Sequence, residues 1–392
     1  MDISNSSSGL GADGDEASLT EQARELAGRS ARPTAAARDR DGRWDPELFA
    51  ELAAGKPGPG LAGPLVPRDL GGGGLSATQT FALLEGLGEG ARDPGLALAV
   101  GAHAVLATVP LRAFGTPRQR EHYLPRMATG EWLGAVSLRQ TQGTALASTV
   151  TARSGADGRG AWVLSGELDL VVGAPVAHHF LVVAAHEGGG RTAFVLDRAT
   201  PGLRVREAGP AAMRTCPWGR LVLTDCEIPH EAVLGTVGAA ADQVEPLLTA
   251  LDWVFSSAPW LGLMRALTRD AVDGARAQHL FGRPVTHGQS ARFTLADLAA
   301  QCELASGLLY RAAEQFDTGN RPLHQDAATA RLFVTSAVRR VTEGVARLSG
   351  PRALTGDHLI ERAHRDALFF AGTGGGTEVL RPVIAAALLE LG

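Results

Sequence analysis

Residues 114–138 read FGTPRQREHYLPRMATGEWLGAVSL, and the fold turns on this stretch. As far as about Trp132, apolar residues recur at three- and four-residue spacing, the period of an amphipathic helix. From about Leu133 the texture changes to short β-rich runs separated by turn residues. Upstream, Leu19-Thr20-Glu21-Gln22 opens a helix, Gly71–Gly74 break the pattern, and a second helix runs from Ser76 to Gly88. Residues 96–114 are apolar nearly all round, which predicts a buried helix. Downstream, strands are expected at 133–138, 147–153, 161–165, 169–172, 179–185, 191–197 and 220–224. The helical period returns at Asp242, with long stretches at 243–280, 288–317 and 323–348 and a short terminal helix at 377–391. The expectation is an α+β chain. A disordered tail (1–17) precedes an N-terminal helical domain (18–132), a middle antiparallel β-domain (133–241) and a C-terminal four-helix bundle (242–392).

The chain has 392 residues, 45% hydrophobic and 20% charged, with a formal net charge of −5. That length buries a sizeable core without disulfides or a structural metal. Its three cysteines, Cys216, Cys226 and Cys302, are too scattered for a metal knuckle or a disulfide framework. Mild acidity and the lack of a basic stripe argue against a nucleic-acid partner. No apolar run reaches the ~18 residues of a bilayer span, and the polar N-terminus has no signal-peptide core. A cytoplasmic protein without metal is expected.

Several short segments carry more than composition. Asp69-Leu70-Gly71-Gly72 precedes Gly74-Leu75-Ser76; Phe114-Gly115-Thr116 leads to Tyr123-Leu124-Pro125 and Gly130-Glu131-Trp132. Leu221 to Pro229 reads LVLTDCEIP and ends at Leu234-Gly235; Phe281-Gly282-Arg283-Pro284 precedes Gln289 and Leu295-Ala296-Asp297-Leu298. Glu361-Arg362 is followed by Arg365-Asp366. In this order and at these spacings the chain resembles the acyl-CoA dehydrogenase superfamily from about Leu19 to Leu391. The resemblance implies a three-part fold, an oligomer (homodimer or homotetramer), FAD as cofactor and a small-molecule or carrier-bound acyl thioester as substrate.

Family dehydrogenation removes an α-proton with a carboxylate while the flavin takes the β-hydride. A thioester α-proton is weakly acidic, so that base must be close and desolvated. In most relatives it is a Glu eight residues after the "RD" Asp. Counting from Asp366 gives Gly374, and 369–376 contains no acid. The alternative location, on the first helix of the bundle, reads Leu251-Asp252-Trp253-Val254-Phe255, with Val254 where the Glu belongs. Flavin positions are altered too. The family's "LTEPxAGSD" becomes Leu138 to Leu146, reading LRQTQGTAL; its "WIT" becomes Leu170-Val171-Val172; and Gln278 replaces an arginine that meets the pyrophosphate. The positions that persist, if FAD is kept, are Leu138, Phe281, Gln289 and Glu378.

Asp252 and His103 are the acid–base candidates that remain, and His103, Asp252, Trp253, Phe255 and Gly374 would line the substrate pocket. Each has a plainer reading: a helix-face acid, a hydrogen-bonded core histidine and core aromatics. His178-His179 lacks further ligands for a metal, since neighbours on a strand point oppositely. Residues 372–377 lack the preceding strand and the lysine of a phosphate loop. Cys216 has no pairing His or Asn and reads as a loop cysteine. Three functions follow. The first is non-oxidative chemistry on an acyl thioester or polyketide-like intermediate of bacterial specialised metabolism, with no bound cofactor. The second is a silent subunit paired in a heteromer with an intact homologue. The third is a FAD-dependent dehydrogenase or oxidase with a relocated base.

Overall fold

The computed structural model describes residues 16–389 apart from 57, 146–147, 155–160, 281, 321–322 and 356–357. Seven helices come first: α1 (Glu16–Ser30), α2 (Ala35–Asp41), α3 (Pro46–Ala54), α4 (Ala77–Ala91), α5 (Pro94–Gly101), α6 (Thr108–Phe114) and α7 (Pro117–Ala128). Helix α1 includes Glu16 and Ala17, which the sequence reading put in a tail; residues 1–15 lie outside the described residues. Ser76 caps α4 in a capping box with Gln79, which explains the start read from sequence. Helix α4 reads ATQTFALLEGLGEGA, and its glycines serve close packing. A Cβ on Gly88 would stand 2.0 Å from the Pro259 carbonyl, and one on Gly262 2.0 Å from the Glu85 carbonyl. Between α5 and α6 the chain makes a buried π-helical turn, Ala102–Ala107. Such turns mark an inserted residue in the ladder.

The middle unit holds β1 (Gly134–Ser137), β2 (Val150–Ser154), β3 (Trp162–Val172), β4 (His179–His186), β5 (Arg191–Asp197), β6 (Leu203–Glu207), β7 (Trp218–Ile228) and β8 (Val233–Leu234). Their order is β6-β7-β3-β1-β4-β5-β8, with β2 against β3 and β4. Most pairings are antiparallel as expected, but β4 runs parallel to both β1 and β2. The two expected runs 161–165 and 169–172 are one strand, β3, with a register irregularity between Leu168 and Val171. Sequence reading missed β6 (sequence LRVRE) because its side chains are largely exposed, and β8 because it is two residues long. The interior of the sheet is filled by residues such as Val150, Leu164, Phe180, Phe194 and Leu221.

Helices α8 (Val244–Phe255), α9 (Ala258–Ala277), α10 (Gln289–Thr318), α11 (Leu323–Ser349), α12 (Leu359–Gly372) and α13 (Gly376–Leu388) complete the chain. The stretch expected at 243–280 is therefore two helices, and α12 was not foreseen as a separate element. By length and composition Pro94–Phe114 and Val244–Ala277 pass as membrane spans, contrary to the sequence expectation. They are 89% and 94% buried inside the protein, which makes them core.

A buried ionic joint ties the three parts together. Arg365 of α12 donates to Asp39 of α2 at 3.0 Å and to its neighbour Asp366 at 2.9 Å. Asp366 in turn accepts from the Met213 N–H at 2.8 Å. Nearby, Arg38 donates to Asp93 at 2.9 Å, both buried, while Asp93 caps α5 and takes the Thr215 hydroxyl. This joint fixes α12, and with it the turn that follows.

Candidate functional site

Gly374 stands in that turn, between α12 and α13. Gly374, Gly375 and Gly376 have φ of +69°, +84° and +61°, a run of left-handed conformations that only glycine adopts at little cost. Trp253 on α8 donates its Nε1–H to the Gly374 carbonyl at 2.8 Å. From α11, Arg331 reaches the same place. It is fully buried and lies over the Phe370 ring at 3.6 Å. Its Nη2 donates to the Phe370 carbonyl at 3.0 Å and the Thr373 hydroxyl at 3.1 Å, and Nη1 to the Ser257 hydroxyl at 3.3 Å. The Phe370 and Thr373 acceptors lie at the C-terminal end of α12, where carbonyls favour a cation. Burial pulls the guanidinium pKa down to about 10, still charged at neutral pH, with Asp252 opposing the shift.

A Cβ added to Gly374 would lie 3.2 Å from Trp253 Cδ1, 3.3 Å from Arg331 Nε and 3.4 Å from Arg331 Nη2. The space beside residue 374 is thus filled by an indole and a cation. The sequence reading singled out Gly374 but not the arginine. The signal was one charged residue in the otherwise small and apolar run Ala327-Ala328-Thr329-Ala330-Arg331-Leu332-Phe333.

Asp252 is buried where α8 packs on the turn Gln140–Ala145 that follows β1. Its Oδ2 accepts from the Thr141 hydroxyl at 2.8 Å, and its Oδ1 from the Ser256 hydroxyl, one helical turn on, at 2.6 Å. Two hydroxyl donors stabilise a carboxylate held out of water. Trp253 therefore meets Gly374, whereas Asp252, beside it in sequence, is bound to Thr141 and Ser256. Val254 is buried, as is Phe255, which packs on Phe81 and Phe316 at ring separations of 6.5 and 5.4 Å. Phe255 is a bundle-core residue, on the other side of the helix from Trp253.

His103 sits in the π-helical turn with both ring nitrogens spent. Nδ1 accepts from the Gly134 N–H at 3.2 Å and Nε2 donates to the Met127 carbonyl at 3.0 Å. Burial pulls its pKa down to about 4, so it is a neutral strut between α7 and β1. His178 Nδ1 accepts from the Leu133 N–H, while buried His179 leaves both nitrogens unpartnered. No group of three potential metal ligands occurs among the described residues. The buried Cys216 thiol is pushed well above its ordinary pKa by desolvation, which suppresses a nucleophilic thiolate.

The positions that the resemblance marks for a flavin stand apart in this chain. Leu138 donates its N–H to the Leu170 carbonyl at 3.0 Å, and Leu170, where an aromatic face would be needed, has a left-handed φ of +48°. On either side of this pair Arg139 and Asp169 form a two-point ion pair at 3.1 and 3.3 Å. Gln289 opens α10 and Glu378 lies in the first turn of α13, both exposed and on separate helices; Phe281 lies outside the described residues. Gln278 closes α9 with its backbone and offers no charge for a pyrophosphate.

Three family models match in order: the acyl-CoA dehydrogenase N-terminal domain over residues 13–131, the middle domain over 138–226 and the C-terminal domain over 255–389. Similar proteins include an L-prolyl-(peptidyl-carrier protein) dehydrogenase of Pseudomonas fluorescens, 27% identical over 83% of this chain and 87% of that one. A short-chain specific acyl-CoA dehydrogenase of Megasphaera elsdenii is 29% identical over 91% and 94%. Among solved structures, butyryl-CoA dehydrogenase from Megasphaera elsdenii superposes with a TM-score of 0.88 at 26% identity, covering 97% of this chain and all of that one.

Proposed function

The chain belongs to the acyl-CoA dehydrogenase family, and from that premise we propose that it acts on an acyl thioester without oxidising it. One observation supports this reading: Gly374, where the resemblance puts the proton-removing carboxylate, has no side chain and packs against the Arg331 guanidinium. A cation cannot accept an α-proton. Its field instead lowers the energy of negative charge developing on a neighbouring oxygen, an effect that grows with exclusion of water. Asp252, held by Thr141 and Ser256, is the carboxylate left to take a proton and return it. Acid–base work of that kind leaves the oxidation level of the acyl group unchanged.

Relatives named as L-prolyl-(peptidyl-carrier protein) dehydrogenases support a carrier-bound or CoA-bound acyl thioester of a biosynthetic route as this chain's substrate. A homo-oligomer built from the family fold is the expected state. The filling of the pocket by Trp253 and Arg331 favours, as a second reading, a subunit without turnover that serves an intact homologue.

The test is direct. The purified protein is scanned for a flavin band at about 450 nm and then incubated with acyl thioesters in D2O without an electron acceptor. The expected result is a colourless protein that places deuterium at the α-carbon. A stoichiometric flavin band that bleaches on adding thioester overturns the proposal. A colourless protein that exchanges nothing and co-purifies with a homologue selects the second reading.

A further inference from the structure

A groove of about 540 Å³ runs from β3 and β7 past the Ser148-Thr149 segment to the first turn of α8. Its described lining is polar apart from Leu168, and its six charges cancel in pairs. Arg139 meets Asp169 at 3.1 Å, Arg220 meets Glu167 at 3.3 Å, and Arg191 meets Glu245 at 2.6 Å. The first two pairs are about half exposed, whereas the Glu245 side chain is only 4% exposed. Glu245 Oε1 takes the Arg191 contact, and Oε2 is buried without any hydrogen-bond partner. Its position in the first turn of α8 suits a carboxylate but leaves that oxygen unpaired. A buried lone acceptor is costly, and an incoming N–H or O–H relieves the cost. Gln140 in the same lining adjoins Thr141, whose hydroxyl donates to Asp252.

We propose that this groove selects an uncharged, amide- or hydroxyl-bearing arm, as on a thioester tethered to a carrier, over a polyphosphate-bearing coenzyme A thioester, with Glu245 Oε2 as the acceptor that reads the arm. The inference rests on the thioester reading above and adds the form in which the thioester arrives. Three arginines already neutralised by three carboxylates give a nucleotide phosphate no free cation, so phosphates contribute no affinity here. A neutral donor, by contrast, completes the one unsatisfied group.

Calorimetry on the intact protein tests it, with pantetheine and coenzyme A as probes. Pantetheine is expected to bind at least as tightly as coenzyme A, with little salt dependence. Glu245→Gln is expected to weaken pantetheine about tenfold, the value of one charge-assisted hydrogen bond. Because that variant also strips Arg191 of its partner, Glu167→Gln at the exposed rim provides a second arm. It frees Arg220 and is expected to make coenzyme A overtake pantetheine while leaving pantetheine unchanged. Tenfold tighter binding of coenzyme A to the unmodified protein, or equal pantetheine affinity in Glu245→Gln, overturns the proposal. The readout is binding alone, so a flavin found in the protein would defeat the non-oxidative reading without deciding this one.

Discussion

Arg331 and Gly374 are in contact: the guanidinium lies 3.3 Å from where a Cβ on residue 374 would stand. A carboxylate restored at this position would meet a buried cation before it met a substrate. Gly374→Glu is therefore expected to give an ion pair with Arg331 and no acceptor-dependent oxidation. The left-handed φ of +69° adds about 1–2 kcal/mol of strain for a residue with a side chain. Dye-reduction assays should stay at background and the melting temperature should fall by a few degrees. Dye reduction above background with an acyl thioester would show that the turn moves and that the arginine is not a block.

Asp252 provides a complementary test. Asp252→Asn keeps the volume and lets Thr141 and Ser256 rearrange their hydroxyls around an amide. A lost acid–base group is worth about 10²–10⁴ in rate. Thioester α-exchange should fall by at least about a hundredfold while the melting curve stays nearly in place. If exchange persists in the variant, another group moves the proton.

The α-then-β-then-α order was legible because each change in hydrophobic period spans many residues. The passage from the end of α7 at Ala128 to the start of β1 at Gly134 needed only local pattern. The strand β6 escaped because three of its five side chains are charged and exposed, and α12 because its Glu361-Arg362 and Arg365-Asp366 pairs read as a motif rather than as a helix with one buried stripe. Gly374 and Trp253, singled out by spacing against a known pattern, do touch each other. Arg331 was not singled out, because it lies 43 residues from Gly374 and only tertiary packing brings the two together. His103 follows the plainer of its two readings, a core histidine with both nitrogens used by backbone.

The interdomain joint should be a stability hot spot. Arg365 is mostly buried and bridges Asp39 and Asp366, the latter tied to Met213. Removing one partner leaves uncompensated buried charge at about 3–5 kcal/mol. Arg365→Met should lower the urea midpoint correspondingly, and the double variant with Asp39→Leu should recover part of the loss. A midpoint unchanged in the single variant would show that the joint is only decorative packing at the domain boundary.

Two buried histidines set the acid limit. Desolvation pulls His103 down to about 4 and His179 to about 3, whereas both titrate near 6.5 once unfolded. The neutral form is the folded form, so the unfolded chain binds more protons between these values and stability falls as pH falls. The contribution is complete above about pH 6.5. By pH 5 each residue has withdrawn about 2 kcal/mol. Urea midpoints measured at pH 7.5, 6 and 5 should decline steadily. His179 has no hydrogen bond to lose, so His179→Leu should retain most of the stability at pH 7.5 and roughly halve the decline at pH 5. In His103→Leu, which leaves the Met127 carbonyl and Gly134 N–H unpaired, the midpoint should already be low at pH 7.5. A midpoint independent of pH over this window would mean that water or a mobile segment reaches both rings.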